Sequence, residues 1–100
     1  MMLEVSIFLD EDDVHDGKKL YEHIMRHLMH HKILGASVFE ALGGYGHKHH
    51  LNFPRRVGAT DEGPIMILFI DEEEKVRSVL PHIKKVVKEG LVVVKTVARA

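Results

Sequence analysis

The residues best suited to chemistry lie together near the middle of the chain, in the stretch Gly43 to His50 with the sequence GGYGHKHH. Consecutive glycines can present successive backbone N–H groups as an anion-binding nest. The histidine and lysine side chains add donors and partial positive charge, and the tyrosine ring offers a face or an edge to a nucleobase. The residues alone leave three roles open: a phosphate loop, a metal loop or a plain bend.

This stretch matches neither of the two common phosphate-binding motifs. A Walker A motif needs a Lys-Ser or Lys-Thr pair at a fixed distance, and none follows here. A dinucleotide fingerprint needs a further glycine at position 49, where the chain has His49, and an apolar helix after it. We therefore interpret the stretch as a strand end with a glycine nest, followed by a basic segment.

The chain contains nine histidines, and two groups have spacing that suggests a metal site. One group recurs at i, i+4 and i+7 on the first predicted helix: His23, His27 and His30. The other follows the glycines: His47, His49 and His50. Because charged residues flank the first group, we interpret it as the polar side of an amphipathic helix. The second group is the better metal candidate, since a loop can wrap an ion.

Composition limits the other classes of function. Lys and Arg number 14 against 15 Asp and Glu, so no overall basic field favours nucleic acid. The chain has no cysteine, which excludes disulfides and thiolate metal sites. The serines have no neighbouring base and no nucleophile elbow occurs, so we expect a protein that is not an enzyme and has no catalytic residue.

The beginning of the sequence and its apolar runs bear on cellular location. Glu4 stands where a signal peptide would need basic residues and a long apolar core. The longest apolar runs are far too short to span a bilayer. We therefore expect a cytoplasmic protein.

Hydrophobic periodicity predicts the elements that must position the central stretch. Alternating or continuous apolar runs predict four strands, at 3–9, 36–42, 64–70 and 91–97. Apolar residues spaced three and four apart predict one helix from Asp16 or Gly17 to about Ile33, and a second that Asp71 caps and Gly90 ends. Pro81 should kink the second helix or split it in two.

The predicted order, β-α-β-β-α-β, is that of an α+β, ferredoxin-like fold. It would form one domain over residues 1–100, with a four-stranded antiparallel sheet and two helices on one face. The second and third strands are neighbours in this fold and need only a short hairpin. The long segment at about 47–63 is therefore an insertion, which argues that it carries function. Strands that are apolar on both sides predict oligomerisation through the open face.

The segment Gly44-Tyr45-Gly46-His47-Lys48 resembles the small PII-like proteins related to the nitrogen-regulatory PII signalling family. The resemblance continues through the residues at 17–22, 36–39, 64–72 and 89–92. It implies a homotrimer with nucleotide clefts between subunits, each beside the base of a long loop, the T-loop. It also implies a regulatory role, in which an adenine nucleotide sets the loop conformation and the loop engages a partner such as a membrane transporter or channel.

The resemblance also implies which residues bind the nucleotide. They are Gly43, Gly44, Tyr45, Gly46, His47, Lys48, Lys88 and Gly90. Few evident phosphate-binding cations are present, so AMP or ADP is expected at least as much as ATP. The alternative hypothesis is a divalent-metal-binding trimer resembling the cation tolerance proteins, with His47, His49 and His50 as the ligands.

Overall fold

The computed structural model of the protein describes residues 1–46, 51 and 63–100. The described helices and strands follow in this order: β1 Met2–Asp10, β2 Val14–His15, β3 Lys18–Lys19, α1 Leu20–His30, β4 Ala36–Glu40, β5 Pro64–Glu72, α2 Glu73–Val86 and β6 Leu91–Val97. Among the described residues, no helix has the length and apolar character needed to cross a membrane.

The four long strands form one sheet in the order β4-β5-β1-β6, and every neighbouring pair is antiparallel. This is the predicted α+β, ferredoxin-like arrangement, which the structure confirms. β1 and β5 occupy the centre of the sheet, where both of their edges are paired.

The core lies between the sheet and the two helices. The period of two in β1 points Leu3, Val5, Ile7 and Leu9 to the helix side, and all four are buried. The buried residues of α1 and α2 form the other side of the core: Leu20, Ile24, Leu28, Val76, Val79, Ile83 and Val86. The 3.6-residue period therefore places one apolar stripe of each helix against one face of the sheet.

The opposite face of the sheet is apolar and exposed. Phe8 on β1 is 44% exposed and Phe39 on β4 is 49% exposed. Between the two strands that carry them, β5 adds half-buried Met66 and Leu68. Large apolar side chains on one continuous surface favour contact with another protein surface, and oligomerisation through this face stays a prediction.

The predicted start of the first helix is wrong. Asp16 and Gly17 have φ values of 51° and 78° and form the two-residue turn between β2 and β3, in which Val14 pairs with Lys19. An Asp-Gly pair with positive φ at both positions is the preferred connection of a tight β-hairpin. The helix therefore begins only at Leu20, and it ends at His30, short of the predicted Ile33.

The second helix also differs from its prediction in three details. It runs without interruption from Glu73 to Val86 through Pro81, so the predicted split is wrong. Asp71 belongs to β5, and Glu72 occupies the N-cap position with no side-chain cap. Gly90 lies beyond the end of the helix, where a Cβ would stand 2.4 Å from the carbonyl oxygen of Phe8. A glycine at this position allows the segment before β6 to pack closely against β1.

Candidate functional site

A cavity of about 300 Å³ opens where the end of β1, the base of the long loop and the starts of β5 and β6 meet. We call it the loop-base cavity. Its described lining is Phe8, Leu9, Asp10, Tyr45, Gly46, Pro64, Ile65, Glu89, Gly90 and Leu91. Strand order explains the location, because antiparallel pairing brings the end of β1 beside the beginnings of both β5 and β6.

Backbone hydrogen bonds fix the walls of this cavity. The N–H of Ala41, just after β4, donates to the carbonyl oxygen of Pro64 at 3.0 Å. The N–H of Glu11, just after β1, donates to the carbonyl oxygen of Gly63 at 2.9 Å. Both ends of the long loop are therefore held by hydrogen bonds at one end of the sheet. The backbone around the cavity is fixed by the pairing of the strands.

Two glycines of the site hold positions that a larger residue would strain. Gly44 has a φ of 146°, a backbone conformation that residues with a side chain rarely adopt. Gly90 packs so closely on β1 that a Cβ would overlap the Phe8 carbonyl oxygen. Gly46 is different, because a Cβ there would meet an Asp10 carboxylate oxygen at 3.6 Å, an ordinary contact.

The structure brings together part of the predicted nucleotide site. Tyr45, Gly46 and Gly90 line the loop-base cavity, although Gly90 lies far from the other two in the sequence. Gly44 lies beside it, where a Cβ would come within 4.0 Å of Pro64 Cγ. Gly43 is half-buried and does not line it.

Lys88 lies outside the loop-base cavity. It lines a neighbouring cavity of about 450 Å³, which shares Leu9, Glu89 and Gly90 with the first. The remaining predicted residues, His47 and Lys48, lie outside the described residues, as do His49 and His50 of the alternative metal hypothesis.

Two acidic residues that line the loop-base cavity, Asp10 and Glu89, were not predicted from the sequence. Asp10 is only 8% exposed. Its backbone N–H donates to the Asp13 carboxylate at 3.1 Å, so Asp13 closes the turn after β1. Carboxylate oxygens of Asp10, Asp12 and Asp13 lie within 4.8 Å of one another. The position of Asp10 at the end of a central strand is the sequence feature that could have indicated that it belongs to the site.

The described lining offers apolar surface to a flat ring. Phe8, Ile65 and Leu91 provide apolar surface, and the ring of Tyr45 is 65% exposed at the rim. Within the described lining, two carboxylates are present and no lysine, arginine or histidine. Within this described part of the lining, the two carboxylates repel negative charge. The described lining also contains no serine, threonine, cysteine or histidine for nucleophilic catalysis.

Comparison with known protein families gives a match over nearly the whole chain. The model of the family DUF190, described as "Uncharacterized ACR", matches residues 2–99. A UPF0166 protein of Aquifex aeolicus is 31% identical over 80 residues, which are 80% of this chain and 76% of the relative. A UPF0166 protein of Methanocaldococcus jannaschii is 33% identical over 91 residues, which are 90% of this chain and 83% of the relative.

Solved structures with the same fold are PII-like proteins. One is CPII of Thiomonas intermedia K12, a nitrogen regulatory PII-like protein bound to ADP, AMP and bicarbonate. It gives a TM-score of 0.64 at 20% identity and covers 93% of this chain and 88% of its own. The same protein bound to ADP and bicarbonate gives 0.65 at 22% identity, over 94% of this chain and 83% of its own. At this identity the likeness establishes a PII-like fold.

Proposed function

The chain belongs to the DUF190 family, and we propose that it is a PII-like regulatory protein that binds an adenine nucleotide in the loop-base cavity. The observation that carries the proposal is the meeting of Tyr45, Gly46 and Gly90 around one cavity. These residues come from the loop base and from the segment before β6, the two places that the sequence resemblance indicated. The nucleotide complexes of CPII, a protein of the same fold, support the choice of ligand.

We propose that the base packs against the apolar wall and the Tyr45 ring, while backbone N–H groups of the glycines receive the phosphate. A glycine at 46 leaves the backbone accessible, and the positive φ of Gly44 turns the chain at that point. Asp10 and Glu89 line the same cavity and oppose additional negative charge. AMP and ADP should therefore bind at least as tightly as ATP.

The regulatory part of the proposal follows from where the cavity lies. A ligand there contacts the residues that begin the long loop, so binding shifts the population of loop conformations by the difference in its affinity for them. The loop would then engage a partner protein, such as a membrane transporter or channel. A cytoplasmic homotrimer, formed through the open sheet face, would place three such loops on one particle.

Calorimetric titration of metal-free protein with AMP, ADP and ATP tests the ligand. We expect saturable binding of AMP or ADP, at an affinity no lower than that of ATP. Replacement of the aromatic ring in Tyr45→Ala should weaken AMP binding by about tenfold, as loss of base stacking does, while Tyr45→Phe should keep most of the affinity. Leu42→Ala is the matched control, because Leu42 is 95% exposed beside the same loop base and is not part of the described lining of the loop-base cavity.

Two results would contradict the proposal. One is the lack of heat with all three nucleotides over millimolar concentrations. The other is equal AMP affinity in wild type and Tyr45→Ala, which would remove Tyr45 from the site. Incubation of each nucleotide with the protein for a day, followed by chromatography, separates binding from catalysis, because a regulatory protein should return the nucleotide unchanged.

A further inference from the structure

Five histidines form a continuous row on the helix side of the molecule, outside the loop-base cavity. We call it the histidine row: His15, His23, His82, His27 and His31. Neighbouring ring centroids along the row are 4.3, 5.1, 4.4 and 4.3 Å apart. The row joins the β2–β3 hairpin, α1 and α2, and the exposed His30 of α1 has no ring contact with it.

The centre of the row is a pair of facing imidazole nitrogens. The Nε2 atoms of His23 and His82 are 2.8 Å apart. Two imidazole lone pairs cannot face each other at this distance, so one nitrogen donates a proton to the other. A metal ion can replace that proton. With Zn–N distances of 2.0–2.1 Å in tetrahedral geometry, two ligand nitrogens stand about 3.3 Å apart, so the rings need to separate by roughly 0.5 Å.

His27 offers a third nitrogen one helical turn from His23. Its Nε2 is buried and has no hydrogen-bond partner among the described atoms. A buried imidazole nitrogen that has no partner among the described atoms is available to a metal ion.

His31 extends the row by one more ring beyond His27. Its Nδ1 lies 3.0 Å from the carbonyl oxygen of His27, so Nδ1–H donates and Nε2 keeps its lone pair. The i, i+4 relation of His23 and His27 is the spacing at which two histidines of one helix share an ion. His82 of α2 faces both of them, with ring centroids 5.1 and 4.4 Å away.

We propose that the histidine row is a binding site for one divalent late transition-metal ion, such as Zn²⁺, with His23, His82 and His27 as ligands. Three imidazoles suit zinc, copper or nickel and not magnesium or calcium. The three nitrogens do not all lie within 4.8 Å of one another, so binding includes rotation of the His27 or His82 ring. The ion would fasten α1 to α2. This site is distinct from His47, His49 and His50 and does not depend on nucleotide binding.

Zinc titration of EDTA-treated, dialysed protein tests this site. We expect about one Zn²⁺ per chain and a rise in Tm on adding the ion. His23→Gln or His82→Gln should each lower the affinity at least tenfold and remove the rise in Tm, because each removes one nitrogen of the central pair. Circular dichroism and gel filtration show whether each variant is folded, and two separate variants guard against a defect in one of them.

Two controls separate the histidine row from the other histidines. His30→Gln changes an exposed histidine of the same helix outside the row, and it should bind Zn²⁺ as the wild type does. The triple variant H47A/H49A/H50A tests the loop, and it should also keep the row's affinity. The proposal is overturned if His82→Gln binds Zn²⁺ as tightly as wild type, if the loop variant alone loses the ion, or if the wild type binds none at millimolar Zn²⁺.

Discussion

The two ends of the sheet each bury an aspartate, and the surroundings of the two differ. Asp71, near the end of β5, is 2% exposed, and Asp10, at the end of β1, is 8% exposed. The antiparallel pairing of β1 with β5 places Asp71 opposite Leu3 and Asp10 opposite Pro64. The two carboxylates therefore lie at opposite ends of this pair of strands.

Asp71 is surrounded by donors from the protein itself. Its Oδ2 accepts hydrogen bonds from the N–H of Leu34 and the ammonium of Lys75, both at 3.0 Å, and its Oδ1 accepts one from the N–H of Glu72 at 2.7 Å. Burial alone would raise the pKa of Asp71, but these donors together lower it below its usual value. This carboxylate ties the connection before β4 to β5 and α2.

Asp10 instead lies in the wall of the loop-base cavity, beside Gly46 and near two other carboxylates. The comparison teaches that burial of an acid does not by itself indicate a role. Asp71 connects three segments at its end of the sheet, whereas Asp10 contributes a carboxylate to the wall of a cavity. Changes at the first end should affect folding, and changes at the second should affect binding.

The largest effect is expected for Asp71→Asn. The amide offers one acceptor where the carboxylate offered two, and its NH₂ faces a donor, so the free energy of unfolding should fall by about 3 kcal/mol. Asp10→Asn is the matched control and should lose no more than about 1 kcal/mol. Urea denaturation at pH 7 measures both. Equal losses in the two variants would break the comparison.

Gly90→Ala should have the next largest effect. The added methyl group meets the Phe8 carbonyl at 2.4 Å and a Val87 methyl at 2.9 Å, which forces the start of β6 away from β1. We expect a loss of about 2 kcal/mol in the free energy of unfolding, with weaker AMP binding in the fraction that folds. Gly35→Ala is the control, because no atom lies within 4 Å of a Cβ at that position.

The pH dependence of the free energy of unfolding also distinguishes Asp71 from Asp10, with a smaller effect than the two substitutions above. Because the pKa of Asp71 in the folded protein is below its unfolded value of 3.8, its contribution to stability is complete above about pH 4 and is lost as the pH falls through the folded pKa. Denaturation curves between pH 6 and pH 2.5 should show this loss in wild type and Asp10→Asn. A loss of the same size in Asp71→Asn would contradict the assignment.

The smallest effect concerns the ligand. Removing the charge of Asp10 lowers the repulsion of additional phosphates, so Asp10→Asn should raise the affinity for ATP about threefold relative to AMP. Competition calorimetry at two salt concentrations measures this ratio, and the gain should shrink at high salt because the charges are screened. An unchanged ratio would mean that the phosphates point away from Asp10.

Periodicity was sufficient to predict the sheet and the presence of both helices. The run Leu91–Val97 was predicted as a strand with the bounds that the structure shows, because its apolar residues lie between Gly90 and a polar end. The start of α1 was missed because Asp16 and Gly17 also suit a helix N-terminus. The same pair, placed between residues that can pair as strands, makes a hairpin turn.

The sites were less predictable, since they depend on contacts between distant segments. Tyr45, Gly46 and Gly90 came from a family resemblance, and strand order explains their meeting. Asp10 was missed because its neighbours are set by the pairing of β1 with β5 and β6. Of the histidine row, the sequence grouped His23 and His27 by their spacing, together with His30. It missed His82, because this residue is 59 positions from His23 and only the packing of α2 against α1 joins them.

The hydrogen bond between Ala41 and Pro64 has a consequence for how this family can change over evolution. It closes the long loop at its base, so the chain between these residues can vary without moving either strand. The entropy of closing such a segment grows with the logarithm of its length, and a doubling costs only about 0.6 kcal/mol. Changes of length in this segment should therefore cost little folding free energy.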